Sequence, residues 1–212
     1  MRCFAVVPAA GKSRRMGRAK LLMSWGDATV IEAVLDAWLA SGVERVVVTV
    51  APGDEQLARL CAARGVDVIF PPTPPPEMKD SVLLALRHLQ ATAHPDDNDA
   101  WLLAPADGIG LSAAAVDLVI RGYREALIEA GTARIVVPCL DGRRGHPVAF
   151  PWRLVDEAER LGDDEGLNVL VRRHEIVEVD VAGTLGDQAE RIFIDLDTPE
   201  DYRRLGGGER GE

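Results

Sequence analysis

The stretch Pro8-Ala9-Ala10-Gly11-Lys12-Ser13-Arg14-Arg15-Met16-Gly17-Arg18-Ala19-Lys20 decides how the rest of the chain is read. It follows Cys3-Phe4-Ala5-Val6-Val7, a short apolar run that ends at a proline, as a buried strand does. Five cations, Lys12, Arg14, Arg15, Arg18 and Lys20, fall within nine positions of a chain whose net charge is −10. Glycine and alanine let backbone N–H groups come close to a ligand, and the cations supply the charge that phosphate oxygens need. The stretch therefore reads as a cradle for a triphosphate, and the alternative is a solvated loop after a first strand.

Spacing excludes two better-known phosphate loops. Gly11-Lys12-Ser13 imitates the end of a P-loop, but Val6 stands where that motif needs its first glycine. A dinucleotide fingerprint fails because Ser13 occupies the place of its second glycine.

Pro-Ala-Ala-Gly-x-Ser-x-Arg-Met-Gly-x-x-Lys resembles the signature of nucleotidyltransferases that activate small phosphorylated molecules with a nucleoside triphosphate. Within them it is most similar to the molybdenum cofactor cytidylyltransferase and guanylyltransferase group. Gly11, Arg15, Met16, Gly17 and Lys20 fall at the family spacing; Pro8 replaces the usual leucine and Ala19 the usual proline. The resemblance implies a three-layer, Rossmann-like α/β fold, with a mostly parallel sheet and an antiparallel element in its second half. It implies Mg²⁺ as cofactor. The implied partners are a nucleoside triphosphate (CTP favoured, GTP possible), a phosphorylated acceptor such as molybdopterin, and a recipient molybdoenzyme.

The chemistry sets its own demands. In nucleotidyl transfer an acceptor phosphate attacks the α-phosphorus in line and pyrophosphate leaves, so the catalyst must align anions and neutralise charge. Cations are needed for the phosphates, and carboxylates at strand ends for a hard divalent ion. Lys20 and Arg15 are the expected phosphate ligands, with Ala9, Ala10, Gly11, Lys12 and Ser13 completing the cradle; Arg14 and Arg18 are as readily solvated. Asp107 follows the strand-like run Ala100-Trp-Leu-Leu-Ala104 and is the first candidate for the metal. The family shows Gly-Asp-x-Pro there, whereas this chain reads Pro105-Ala-Asp-Gly-Ile109. Asp195 and Asp197, in Asp-x-Asp-Thr-Pro-Glu-Asp, resemble the family's carboxyl-terminal acidic element. Strand alternation allows at most one of them to face a metal, and Asp195 is preferred. Ser81, in Met78-Lys-Asp-Ser81, is a candidate nucleotide contact, or a helix cap. Gly142-Arg-Arg-Gly145 with His146-Pro147 resembles an acceptor-side segment, which makes His146 a candidate binding residue but not a general base.

Composition bounds the rest. The 212 residues suit one α/β domain, expected over residues 1–205 with a disordered glycine-rich tail over 206–212. The acidic balance argues against nucleic acid and membrane surfaces as partners. Cys3, Cys61 and Cys139 lack metal or redox spacing and read as buried thiols in a reducing cytoplasm. No secretory signal or bilayer-spanning run is expected.

Strand-like and helix-like runs alternate along the chain. Thr29-Val-Ile-Glu32 predicts a capping box opening a helix that ends near Gly42. Arg45–Val50 predicts a strand, and Ser112 a helix cap for a run to Ala130. Pro71-Pro-Thr-Pro-Pro-Pro76 is too stiff for a ladder or helix and reads as a loop beside the site rather than a linker. Asp141–Gly145 predicts a hairpin-like turn, Ile176–Val181 a strand, and Ile192 onward a further strand before a helix capped by Thr198. A non-catalytic carrier of a finished dinucleotide cofactor is the reading of another class, kept open by the altered loop at Asp107.

Overall fold

The structure is a computed structural model, and it describes residues 1–11, 20–194, 196 and 199–204. Among the described residues ten strands and eight α-helices follow in this order: β1 (Cys3–Ala9), β2 (Ser24–Trp25), β3 (Ala28–Thr29), α1 (Val30–Leu39), β4 (Arg45–Val50), α2 (Glu55–Ala63), β5 (Asp67–Ile69), α3 (Met78–Ala93), β6 (Ala100–Leu103), α4 (Ala113–Ala130), β7 (Ile135–Leu140), β8 (Arg143–Arg144), β9 (Val148–Pro151), α5 (Val155–Glu159), α6 (Asn168–Arg173), β10 (Ile176–Asp180), α7 (Ala182–Leu185) and α8 (Pro199–Arg204). The main sheet runs β10-β7-β9-β6-β1-β4-β5, with β8 paired to β7. β6, β1, β4 and β5 are mutually parallel, as are β10 and β7. β9 lies antiparallel between β6 and β7. The fold is the expected mostly parallel α/β sheet with an antiparallel element in its second half.

Period-2 alternation in β1 shows why helices cover both faces. Cys3, Ala5, Val7 and Ala9 join one apolar cluster with Ile31, Leu35 and Trp38 of α1 and Val119 and Tyr123 of α4. Phe4 and Val6 join another with Leu86 and Leu89 of α3. On β6 and β9, Trp101 and Phe150 sit opposite each other in register and stack with ring centroids 4.1 Å apart, which fixes the antiparallel insertion.

The helix signals act as read. Thr29 accepts from the Glu32 N–H while its own N–H donates to Glu32 Oε2 at 2.8 Å, although α1 ends at Leu39, before Gly42. Ser112 caps α4, which stops at Ala130 ahead of left-handed Gly131. The hairpin turn is tighter than expected: Asp141 and Gly142 alone turn the chain, both with positive φ, and Arg143 and Arg144 already form β8. Over the described residues 192–194 the expected strand is not formed. Gly186–Phe193 is a 3-10 run, and the Ile194 N–H donates to the Arg191 carbonyl at 2.9 Å. Three apolar residues do not distinguish a strand from a buried turn, and Ile192 packs against Ala115, Leu118 and Leu140. The cap at Thr198 lies outside the described residues.

At the end of the sheet away from the strands' carboxyl ends, Arg2 and Asp99 tie β1 to β6. Buried Asp99 accepts from the Arg2 N–H at 2.6 Å, from Arg2 Nε at 3.0 Å and from the Asp96 N–H at 3.0 Å. Burial alone would raise the Asp99 carboxyl, but these hydrogen bonds and the Arg2 charge outweigh it and hold it below the usual carboxylate range. A depressed carboxyl contributes stability that is present above its unfolded value and lost as pH falls through its folded value. Asp99→Ala should therefore lower Tm by about 4–8 °C at pH 7. The gap from the parent should narrow as pH falls below about 4, followed by circular dichroism melts at pH 7 and pH 3. An equal gap at both pH values would place the effect in packing rather than charge.

Candidate active site

The sheet's parallel half brings its carboxyl ends together at a cleft of about 700 Å³. One wall continues β1: Pro8, Ala9, Ala10 and Gly11. A second is the loop after β6, Pro105 to Asp107. The third is the proline-rich segment Pro74 to Pro76 with Glu77, Met78 and Ser81 at the start of α3. Lys20 and Leu21 line it as well. This is where open α/β sheets hold ligands, because the loops diverge beyond the strand ends. The proline segment thus borders the cleft, as expected of a loop after which the strand and helix pattern resumes without a break.

Lys20 and Asp107, which are 87 positions apart, meet here as an ion pair, each largely covered. Lys20 Nζ also donates to the Leu196 carbonyl, so one ammonium joins the β6 loop and the carboxyl-terminal segment. A partly buried lysine and aspartate that neutralise each other in a cleft are well placed to be parted by a ligand carrying both signs, such as a metal-bound phosphate.

Ser81 is the fourth residue of α3 and does not cap it; the Glu77 N–H donates to Asp80 at 3.0 Å instead. The Ser81 carbonyl accepts from the buried Thr49 hydroxyl of β4 at 2.8 Å, which anchors the first turn of α3 to the sheet. Buried Lys79 donates from Nζ to the carbonyls of Leu161 and Gly162, tying that turn to the second half of the chain.

His146 does not line the cleft. It faces a small neighbouring cavity with Gly108, Gly110, Leu111, Ile192 and Ile194, and its Nδ1 is buried without a partner among the described residues. Burial pushes its imidazole below the ordinary value, against a hydrogen bond to the Leu103 backbone and the charge of Asp107. A neutral ring against apolar neighbours supports the back of the β6 loop rather than an anion. Arg143 and Arg144 pair outward with Glu190 at 2.6 Å and Glu178 at 2.8 Å.

Of the expected site, Ala9, Ala10, Gly11, Lys20, Ser81 and Asp107 share the cleft. Lys12, Ser13, Arg15 and Asp195 lie outside the described residues. The Leu196 carbonyl was not foreseen, since a backbone acceptor leaves no mark on residue type. Among the described residues no group of three or more His, Cys, Asp or Glu could hold a metal. The Asp107 carboxylate still fits a hard divalent ion whose other ligands are phosphate oxygens and water. Cys3, Cys61 and Cys139 are buried and unpaired with one another, and burial pushes the Cys3 and Cys61 thiols up to about 12. No described helix is long and apolar enough to cross a membrane.

A small-residue loop on the first strand, a lysine at its end and an aspartate at the end of the parallel neighbour define a nucleotidyltransferase-type α/β domain. The chain belongs to the family of the MobA-like NTP transferase domain, which it matches over residues 5–179. It is 39% identical over 104 residues to the 2-C-methyl-D-erythritol 4-phosphate cytidylyltransferase of Enterobacter sp. (strain 638), a match covering 47% of this chain and 40% of that protein. The chain thus spans less than half the length of that relative. The crystal structure of Rv0371c from Mycobacterium tuberculosis H37Rv superposes with a TM-score of 0.71 at 28% identity, covering 97% of this chain and 98% of that one. A structure of the same protein in complex with manganese gives a TM-score of 0.68 at 27% identity, over 97% and 98%. The molybdopterin-guanine dinucleotide biosynthesis protein A of Archaeoglobus fulgidus shares the fold, with a TM-score of 0.66 at 20% identity over 95% of each chain.

Proposed function

We propose that the cleft transfers CMP from CTP to the phosphate of molybdopterin, with release of pyrophosphate, in a single cytoplasmic domain over residues 1–205. One observation carries the reading: in a chain of the MobA-like NTP transferase family, Gly11, Lys20 and Asp107 converge on one cleft at the carboxyl ends of β1 and β6. In the step, an acceptor phosphate oxygen bonds to the α-phosphorus of CTP. The bond from that phosphorus to the β-bridging oxygen breaks, and pyrophosphate leaves with the electron pair. The backbone at Ala9, Ala10 and Gly11, with Lys12, Ser13 and Arg15, holds the triphosphate. Lys20 turns its ammonium to the phosphates, where it offsets charge on the leaving group. Ser81 borders the nucleotide, and His146 packs behind the β6 loop that carries Asp107. Asp107, with Asp195, would hold Mg²⁺, which when bound offsets charge on the reacting and leaving oxygens.

The cytidylyl preference draws support from the cytidylyltransferase relative, and the pterin acceptor from the family and the Archaeoglobus neighbour. The same relative favours a second reading, in which the acceptor is 2-C-methyl-D-erythritol 4-phosphate. Pyrophosphate release with Mg²⁺, each of CTP, GTP, ATP and UTP, and each acceptor in turn separates them. Release with CTP and molybdopterin alone is the expected result. GTP alone moves the reading to guanylyl transfer, and release only with the erythritol phosphate moves it to the second acceptor. Nucleotide binding without turnover leaves a dinucleotide-cofactor carrier.

A further inference from the structure

The 3-10 run Gly186–Phe193 is pressed against glycines from two other elements. A Cβ on Gly110 would fall 1.6 Å from the Arg191 carbonyl oxygen and 2.3 Å from its carbon. Main chain meets main chain there, so any side chain at 110 must displace one of the two backbones. On the other flank, a Cβ on Gly145 would lie 2.8 Å from Ile192 Cδ1 and 3.1 Å from Phe193 Cε1. The β7–β8 hairpin adds a third grip. Arg143 pairs with Glu190 at 2.6 Å and lays its guanidinium 4.6 Å from the Phe193 ring centroid. The run is close in sequence to the site at two points: Gly110 follows Asp107 by three positions, and Leu196 follows Ile194 by two.

We infer that Gly110, with Gly145 and Arg143, forms a positioning clamp for the reaction, seating the carboxyl-terminal segment so that the Leu196 carbonyl meets Lys20 beside Asp107. None of the three needs to touch substrate. The clamp acts through residues 190–193, and loosening it withdraws one of the groups that aim the Lys20 ammonium. Its effect on turnover rests on the nucleotidyl-transfer reading, whereas the clamp itself is measurable without it.

Gly110→Ala is the direct test, with Gly183→Ala as control, because a Cβ at 183 meets nothing within 4 Å. Hydrogen–deuterium exchange of the peptide spanning residues 186–194 should quicken at least tenfold in Gly110→Ala. Acetylation of Lys20, mapped by mass spectrometry, should quicken about threefold or more, and neither should change in Gly183→Ala. If the parent turns over, kcat should fall about tenfold with KM for the triphosphate nearly unchanged. Should Gly110→Ala fail to fold, Arg143→Glu takes its place, and adding Glu190→Arg should restore slow exchange. Parent-like exchange and Lys20 labelling in a folded Gly110→Ala, or no rescue by the charge swap, would overturn the clamp. A parent without turnover would overturn only the assigned reaction.

Discussion

Asp107→Asn should lower kcat by about 10²–10³-fold, the largest loss expected of any single substitution in the cleft. Asparagine keeps the size of the side chain and removes its charge. Asp107 stands at the carboxyl end of β6, largely covered, and its partner is the Lys20 ammonium. In the proposed reaction the carboxylate is the chain's described contribution to holding a divalent cation. Its loss should therefore raise the Mg²⁺ concentration needed for half-maximal rate, with little change in the affinity for triphosphate. Steady-state kinetics across a Mg²⁺ titration reads both quantities, and circular dichroism confirms the fold. Unchanged kinetics in a folded variant would remove Asp107 from the reaction.

Lys20→Ala should act on the other side of the same pair. Here the expected loss is in binding: KM for the triphosphate should rise about 10–100-fold, with a smaller fall in kcat. Lys20→Arg should recover part of the affinity, since charge is kept, but not all, because a planar guanidinium cannot reproduce the compact ammonium between Asp107 and the Leu196 carbonyl. Calorimetric titration with a non-hydrolysable CTP analogue isolates binding from turnover. Because the two side chains touch, the losses in the double variant should fall short of the product of the single ones. A strictly multiplicative result would mean that they act independently in the bound state.

Much of this site was legible in residue order, and particular residues show why. β1 and its loop stand out because a β-branched run followed by glycine, alanine and clustered cations combines two physical signals in one stretch. α1 and α4 were readable to within a few positions at their ends, since Thr29, Glu32 and Ser112 cap through local hydrogen bonds. The proline segment was readable as a loop from ring-fixed φ angles and from the strand and helix pattern that resumes after it. What escaped depends on contacts between distant positions. Ile192 to Ile194 looked like a strand because apolar residue type does not encode whether a short run pairs with a sheet or packs as a turn, and Ile192 packs against α4 and β7. The need for glycine at 110 arises from a carbonyl 81 positions later. His146 read as acceptor-side by its motif, yet Leu111, Ile192 and Ile194 surround it on the rear of the β6 loop.

The proline wall gives the cleft a definite mechanical character. Pro74, Pro75 and Pro76 have φ angles set by their own rings, so this side of the cleft has little freedom to give up when a ligand arrives. Binding free energy is then not spent on ordering that wall. A boundary with little freedom to yield also stretches little, so a ligand too broad for the cleft meets a stiff obstacle instead of an adapting one.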